Sequence, residues 1–322
     1  MAADSPLAVA LPSPFALEAA AGLGGRGQKT LPCKYFYDEL GSALFEAITA
    51  LPEYTITRAE ERVLQTHAET IAARSSARTV VELGSGSSRK TRRLLACLAR
   101  RQATRYVPID ISPAALAASA AALDGIARLL VQPLAAEYLD GMRRIAAARV
   151  DAAPLLLLFL GSSLGNFERR DGIRFLRRLR RVLRRGDRLL LGTDLVKPVP
   201  VLLAAYDDAL GVTAAFNRNL LARANRELGA DFALARFRHE ARFDARRASI
   251  EMHLVALEAH TVRVPAVGLR VAFAAGESIH TESCHKYSLP EVDHLGACSG
   301  FACEAQWVDR EGAFADTLFV AV

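Results

Sequence analysis

Val80-Val81-Glu82-Leu83-Gly84-Ser85-Gly86-Ser87-Ser88-Arg89-Lys90-Thr91 reads as an apolar strand running into a Gly-x-Gly turn, with a helix beginning near Arg89. Glycine belongs at such a turn because a side chain would block both the tight backbone and the close approach of a ligand, while the helix start presents free N–H groups. The third glycine of the dinucleotide fingerprint is absent, since Ser87 is followed by Ser88 and Arg89, so a ligand without a pyrophosphate fits better than a nicotinamide or flavin. The next strand ends Tyr106-Val107-Pro108-Ile109-Asp110-Ile111-Ser112, which places an acid at a strand carboxyl end. There Asp110 can accept hydrogen bonds from both hydroxyls of a ribose, or cap the helix that Ser112-Pro113 opens. Further on, Ala136-Glu137-Tyr138 offers a carboxylate for an adenine amino group and a ring for the base, although Glu137 also reads as a plain loop acid.

Outward from this stretch, short apolar runs alternate with helical patterns between about residues 59 and 195. The strand candidates are Thr79 to Leu83, Arg105 to Ile109, Ala127 to Val131, Pro154 to Leu160 and Arg188 to Thr193, with Ser112 to Leu123 among the helices. Near-continuous apolar runs are what strands covered on both faces of a parallel sheet require, so the pattern predicts a doubly wound α/β domain. A helix over Leu289 to Ala297 and two apolar segments, Phe301 to Trp307 and Thr317 to Val322, predict a terminal hairpin on the sheet edge. Residues 196–287 break the alternation. They are first helical (Val201 to Leu210, Phe216 to Leu228), then strand-like (Arg236 to Phe243, Ser249 to Leu257, Gly268 to Phe273), and so read as a second lobe packed with the N-terminal 58 residues.

The chain has 322 residues, 51% of them hydrophobic, enough for a large core and a smaller companion. No run reaches the ~18 apolar residues of a membrane span. Met1 to Leu23 carries no positive charge ahead of its apolar residues, so no signal peptide is expected and the location is expected to be cytoplasmic. The five cysteines are scattered without a C-x-x-C pair, which points to neither a disulfide framework nor a zinc cage, and no metal site is expected. The net charge of +6 is concentrated between Arg174 and Arg188, where Phe175, Leu176, Leu179, Val182 and Leu183 recur at helical spacing opposite the arginines. This is an amphipathic helix with a solvated cationic face, and no aromatic residues interleave the arginines for base stacking.

The chain resembles the class I methyltransferases, and more narrowly the histidine Nα-methyltransferases of ergothioneine biosynthesis. The resemblance is carried by Leu31 to Ser42, Leu51 to Glu60, the Glu82 to Thr91 turn, Phe159 to Phe167, Leu191 to Lys197, Ala205 to Asp208, Gly211 to Asn219, Asn225 to Phe232, Ile250 to His253 and Thr281 to Tyr287. It implies an α/β architecture: a Rossmann-like S-adenosylmethionine-binding domain at 59–195 and 286–322 with a C-terminal antiparallel hairpin, plus a smaller α+β domain at 1–58 and 196–285 that binds an amino-acid substrate. The implied cofactor contacts are Gly84, Ser85, Gly86, Ser87, Lys90, Asp110, Glu137, Tyr138 and Gly161. Asn166 and Tyr206 would hold the substrate carboxylate, Gly161 and Asn166 would face the amine, and Tyr37 would lie near it. Tyr54, Glu282 and Cys284 would grip the imidazole, in a pocket shaped by Phe45, Thr213 and Met252.

An ionised Glu282 accepts an imidazole N–H, whereas a small side chain leaves it poorly paired, at a loss of ~1–3 kcal/mol. The family usually has Ser at 284, Asp at 137 and a Tyr-Pro pair where this chain has Tyr54-Thr55. The expected reaction is in-line methyl transfer to the α-amino group of free L-histidine, up to the trimethylated betaine hercynine, with the amine proton lost through water or a hydroxyl near Tyr37. Methylation of another amino acid or a histidine derivative, RNA methylation, and a non-catalytic cofactor-binding protein stay open as alternatives. The expected partner is a small amino-acid substrate, with neither nucleic acid nor membrane, and the protein is expected to be a monomer.

Overall fold

The computed structural model describes residues 12–150 and 153–322; the leader reading of Met1 to Leu23 lies outside the described residues as far as residue 11. The chain divides into two compact units: a larger one of residues 37–213, 241–251 and 283–322, and a smaller one of the residues up to Phe36, 214–240 and 252–282. Elements are numbered along the chain.

In the larger unit one sheet runs in the order β13 (Phe301–Asp309), β14 (Phe314–Ala321), β7 (Arg188–Asp194), β6 (Leu155–Phe159), β2 (Thr79–Leu83), β3 (Thr104–Asp110), β4 (Leu129–Val131), with the short β5 (Leu134–Ala135) also paired to β3. The strands from β7 to β4 are parallel, and β14 and β13 are antiparallel, which is the terminal hairpin expected on the sheet edge.

Successive residues of a strand point to opposite faces, and here both faces are covered. Val80, Tyr106, Leu156, Leu158 and Leu190 pack toward α3 (Thr55–Ser75) and α4 (Arg92–Arg101). Val81, Val107, Leu157, Phe159, Leu189 and Leu191 pack toward α6 (Tyr138–Ala147), α7 (Arg169–Val182) and α10 (Leu289–Cys298). That double burial is why these strands are continuous apolar runs. Around them lie α2 (Glu39–Ala50), α5 (Pro113–Ala122) and α8 (Val199–Tyr206). The strand order reverses between β2 and β6, so the crevice that such sheets use for ligands opens at the carboxyl ends of these two strands.

The smaller unit holds β1 (Lys29–Thr30), a hairpin of β10 (His260–Val264) and β11 (Leu269–Phe273), the helix α1 (Pro14–Gly24), all of α9 (Val212–Leu228) but its first two residues, and the greater part of β12 (Ser278–His285) and β9 (Ser249–Ala256) with the first half of β8 (Phe237–Asp244). These strands pair in the order β1, β12, β9, β8, and residues 241–244, 249–251 and 283–285 of them group with the larger unit. Its core mixes aliphatic side chains with paired aromatic rings. Phe36 meets Phe216 at 4.5 Å, and Phe237 meets Phe273 at 5.3 Å.

Several details differ from the sequence reading. Residues 37–58 and 196–213, read with the smaller domain, group with the larger unit. Helix α4 starts at Arg92 and not near Arg89, because Ser88 takes a left-handed conformation (φ 54°) and the turn runs on through Lys90. The arginine helix spans Arg169–Val182, so Arg184 and Arg185 lie beyond its end. Strand β12 was not among the strand candidates. Its polar residues Thr281, Glu282, Ser283 and His285 are all buried, so hydropathy conceals a strand that is satisfied by polar partners.

Candidate functional site

At the carboxyl end of β2 the backbone turns sharply at Gly84 (φ 65°), and a Cβ there would sit 2.7 Å from the Tyr138 hydroxyl, so a side chain would be strained and would displace that ring. Tyr138, the first residue of α6, is thereby held over the turn, with its ring edge-on to Phe159 at 5.6 Å. The Gly86 N–H donates to Asp110 Oδ2 at 3.2 Å, and the Ser112 N–H donates to Asp110 Oδ1 at 2.9 Å. Burial pushes the Asp110 carboxyl above its ordinary pKa, against the pull of those N–H groups. Glu137 is exposed just ahead of α6. Ser85 Oγ is buried with no hydrogen-bond partner among the described residues. A tight glycine turn, an unpaired hydroxyl and an acid at the next strand end together fit a nucleoside-bearing ligand whose ribose Asp110 would hold, and S-adenosylmethionine is such a ligand.

Beneath the turn that follows β6, a buried charge cluster holds the backbone. Glu60 Oε1 accepts the Gly161 N–H at 2.7 Å, and Glu60 Oε2 is bonded to the Lys90 ammonium. Burial disfavours the Lys90 ammonium, and the Glu60 carboxylate beside it more than restores it, leaving its pKa above that of an ordinary lysine. Fully buried Asp316 is pushed well above the usual carboxyl range by desolvation and by Glu60. Lys90, expected to contact the cofactor, is therefore tied into the framework that fixes Gly161.

The substrate candidates of the larger unit form a second group. Tyr37 and Phe45 (5.6 Å), Phe45 and Tyr54 (6.2 Å), and Tyr54 and Tyr206 (6.4 Å) form a chain of edge-on rings. The Gly165-Asn166 turn lies against the end of β12: a Cβ on Gly165 would sit 2.8 Å from the His285 carbonyl oxygen and 3.1 Å from Cys284 Sγ. Lys286 joins Cys284 to Tyr206. Its ammonium donates to Tyr206 Oη at 3.0 Å and Cys284 Sγ at 3.2 Å, and pairs with Asp194 Oδ2 at 2.9 Å. Thr213 opens α9, where its N–H and that of Val212 donate to Asp208 at 2.7 and 2.9 Å.

In the smaller unit Met252 and Glu282 lie on β9 and β12. The buried α9 residue Asn217 fastens these strands, with its Oδ1 2.8 Å from Thr281 Oγ1 and its Nδ2 donating to the His253 carbonyl at 3.2 Å. Glu282 is 9% exposed, and Cys284 follows two residues later on the same face of β12.

Sequence reading did not single out Glu60, Asp194, Asn217 or Lys286. Each sits inside a block that carries the family resemblance, and the available signal was a charged or amide residue embedded among positions that the strand and helix periods assign to the interior.

Part of the arginine face is structural. Arg177 donates to the Cys298 carbonyl, Arg180 to those of Gly300, Leu183 and Val322, and Arg184 to that of Arg149.

Comparison with known proteins agrees with this geometry. Residues 15–321 match the family model described as histidine-specific methyltransferase, SAM-dependent. The histidine N-alpha-methyltransferase of Mycolicibacterium smegmatis is 42% identical over 294 residues, covering 91% of this chain and 90% of that protein. Its Mycobacterium tuberculosis counterpart is 42% identical over 288 residues, covering 89% of this chain and 88% of that one. Ergothioneine biosynthesis protein 1 of Neurospora crassa is 35% identical over 205 residues, covering 63% of this chain and 23% of the larger fungal protein. With its doubly wound sheet, glycine turn and strand-end acid in place, this chain belongs to the histidine-specific, S-adenosylmethionine-dependent methyltransferases.

Proposed function

We propose that the chain methylates the α-amino group of free L-histidine, ending at the trimethylated betaine hercynine, as a cytoplasmic monomer that needs no metal. The observation that carries this reading is the joining of Tyr206, Cys284 and the Asn166 turn by the Lys286 and Gly165 contacts, in the unit that also holds the Gly86–Asp110 cradle. S-adenosylmethionine supplies a methyl group on a positively charged sulfur, an electrophile already activated when it binds. The work left to the protein is alignment and delivery of a neutral amine, and alignment alone is worth several kcal/mol, up to about 7–11 in the best intramolecular cases.

Tyr206 and Asn166 bind the carboxylate, and Gly161, whose backbone Glu60 fixes, faces the amine together with Asn166. Tyr54, Glu282 and Cys284 take the imidazole, and Phe45, Thr213 and Met252 bound it. The amine proton leaves through water or the hydroxyl of Tyr37 before transfer. Ser85, Gly86, Asp110, Glu137 and Tyr138 hold the nucleoside. The domain contributing Met252 and Glu282 selects the amino acid.

Calorimetric titration of L-histidine in the presence of S-adenosylhomocysteine, beside a panel of other amino acids, tests the assignment. Histidine is expected to bind at least tenfold more tightly than the others, and Glu282→Ala to remove that preference while leaving S-adenosylhomocysteine binding intact. Equal affinity for the whole panel would refute histidine as the substrate. Mass spectrometry of the product counts the methyl groups.

A further inference from the structure

Lys286 is the buried charge that this reaction scheme does not use. It has no exposed surface, its ammonium donates to Tyr206 and Cys284, and it is ion-paired with Asp194. Asp194 is shared. Its other oxygen pairs at 2.7 Å with Lys197, whose side chain is 7% exposed and which also donates to the Gly312 carbonyl at 2.6 Å. Two buried ammonium groups therefore divide one carboxylate, and one of them, Lys286, lies with its Nζ 4.7 Å from the Tyr206 ring centroid.

A tyrosine hydroxyl carries one proton and accepts through its oxygen. Because Lys286 donates to that oxygen, the O–H of Tyr206 must point away from Lys286 and act as a donor. A donor polarised by a buried ammonium that shares its carboxylate with a second lysine is complementary to an anion, and buried charge of this kind discriminates between an anionic ligand and its neutral isostere.

We propose that Lys286 is a positioning residue for substrate recognition: held by Asp194, it orients the Tyr206 hydroxyl toward the amino-acid carboxylate and supplies the charge that this anion answers. The enzyme thereby requires a free carboxylate and rejects amides, esters and decarboxylated amines of the same side chain. The inference rests on the reading of Tyr206 as a carboxylate ligand.

The test compares L-histidine with L-histidinamide, titrated into the full chain in the presence of S-adenosylhomocysteine, for the wild type and for Lys286→Met and Tyr206→Phe. Wild type is expected to favour histidine strongly. Lys286→Met is expected to lose about 10–100-fold in histidine affinity while histidinamide and S-adenosylhomocysteine affinities stay within about threefold. Tyr206→Phe is expected to show the same pattern, and the double variant to lose little more than either single one.

Equal weakening of both ligands in Lys286→Met, or no change in either, would overturn the inference. If that happens while Tyr206→Phe still loses the preference, Tyr206 keeps its role and Lys286 alone is dismissed. Should Tyr206→Phe retain the full preference, the carboxylate reading of Tyr206 fails and the inference falls with it. If Lys286→Met does not fold, Lys286→Gln, which keeps two N–H donors without the charge, makes the same comparison.

Discussion

Asp110 can be read from sequence as a ribose ligand or as a helix cap; in the structure the cap of α5 is Ser112, whose hydroxyl accepts the Ala115 N–H, and Asp110 ties the glycine turn to the residue that caps it. Oδ1 takes the Ser112 N–H ahead of α5, while Oδ2 takes the Gly86 N–H at the glycine turn. Asp110→Asn keeps an acceptor for one of these and removes the charge. A ribose bound through an ionised acceptor is worth about 1.5–3 kcal/mol per hydrogen bond, so cofactor affinity should fall roughly 10–100-fold in calorimetry. Unchanged affinity would leave Asp110 as a brace of the glycine turn only. At position 284 a sulfur accepts from Lys286, and sulfur is a weaker hydrogen-bonding group than a hydroxyl. Cys284→Ser should therefore tighten histidine by roughly 2–10-fold with little change in kcat; a looser KM would show that the pocket has repacked around sulfur.

Two elements are held by contacts that their own residues do not announce. The turn between β6 and α7 approaches β12 so closely at Gly165 that an added methyl would meet the His285 carbonyl oxygen at 2.8 Å. Gly165→Ala should displace Asn166, lowering kcat/KM for histidine at least tenfold while cofactor binding persists; a variant with wild-type turnover would separate Asn166 from substrate. Helix α7 secures the end of the sheet through Arg180, whose guanidinium reaches Val322 at 2.6 Å and the carbonyls of Leu183 and Gly300. Arg180→Ala leaves those carbonyls to water at a loss of about 1–2 kcal/mol, or roughly 2–6 °C in Tm by calorimetry, with kinetics unaltered. An unchanged Tm would show that water replaces the guanidinium without penalty.

For the whole molecule, pH acts through the buried acid of the central strand. Glu82 is fully buried, accepts from Thr91 Oγ1 at 2.9 Å and from Tyr106 Oη at 2.5 Å, and is pushed from 4.5 to about 7 by desolvation. A carboxyl whose folded pKa is raised stabilises the protein most below its unfolded value, and that contribution is lost as pH rises through the folded one. Between about pH 4.5 and 7 the unfolded chain ionises while the folded chain keeps its proton, which erodes stability by an amount on the order of 3 kcal/mol. Above that window the penalty is constant. Glu82→Gln should flatten this part of the Tm profile between pH 5 and 7; an identical slope in the variant would mean that Glu82 is not the group responsible.

The sequence by itself determined the doubly wound sheet, its terminal hairpin, the glycine turn and the acid that follows it. These follow from local rules: strands covered on both faces must be apolar throughout, and a tight turn at a ligand needs residues without side chains. Strand β12, the division of the chain at Phe36 and Thr213, and the Glu60–Lys90 and Asp194–Lys286 pairs were decided only in three dimensions. A charged or polar residue is tolerated inside a protein only when a partner distant in the chain satisfies it, and neither composition nor periodicity records which partner folding will bring.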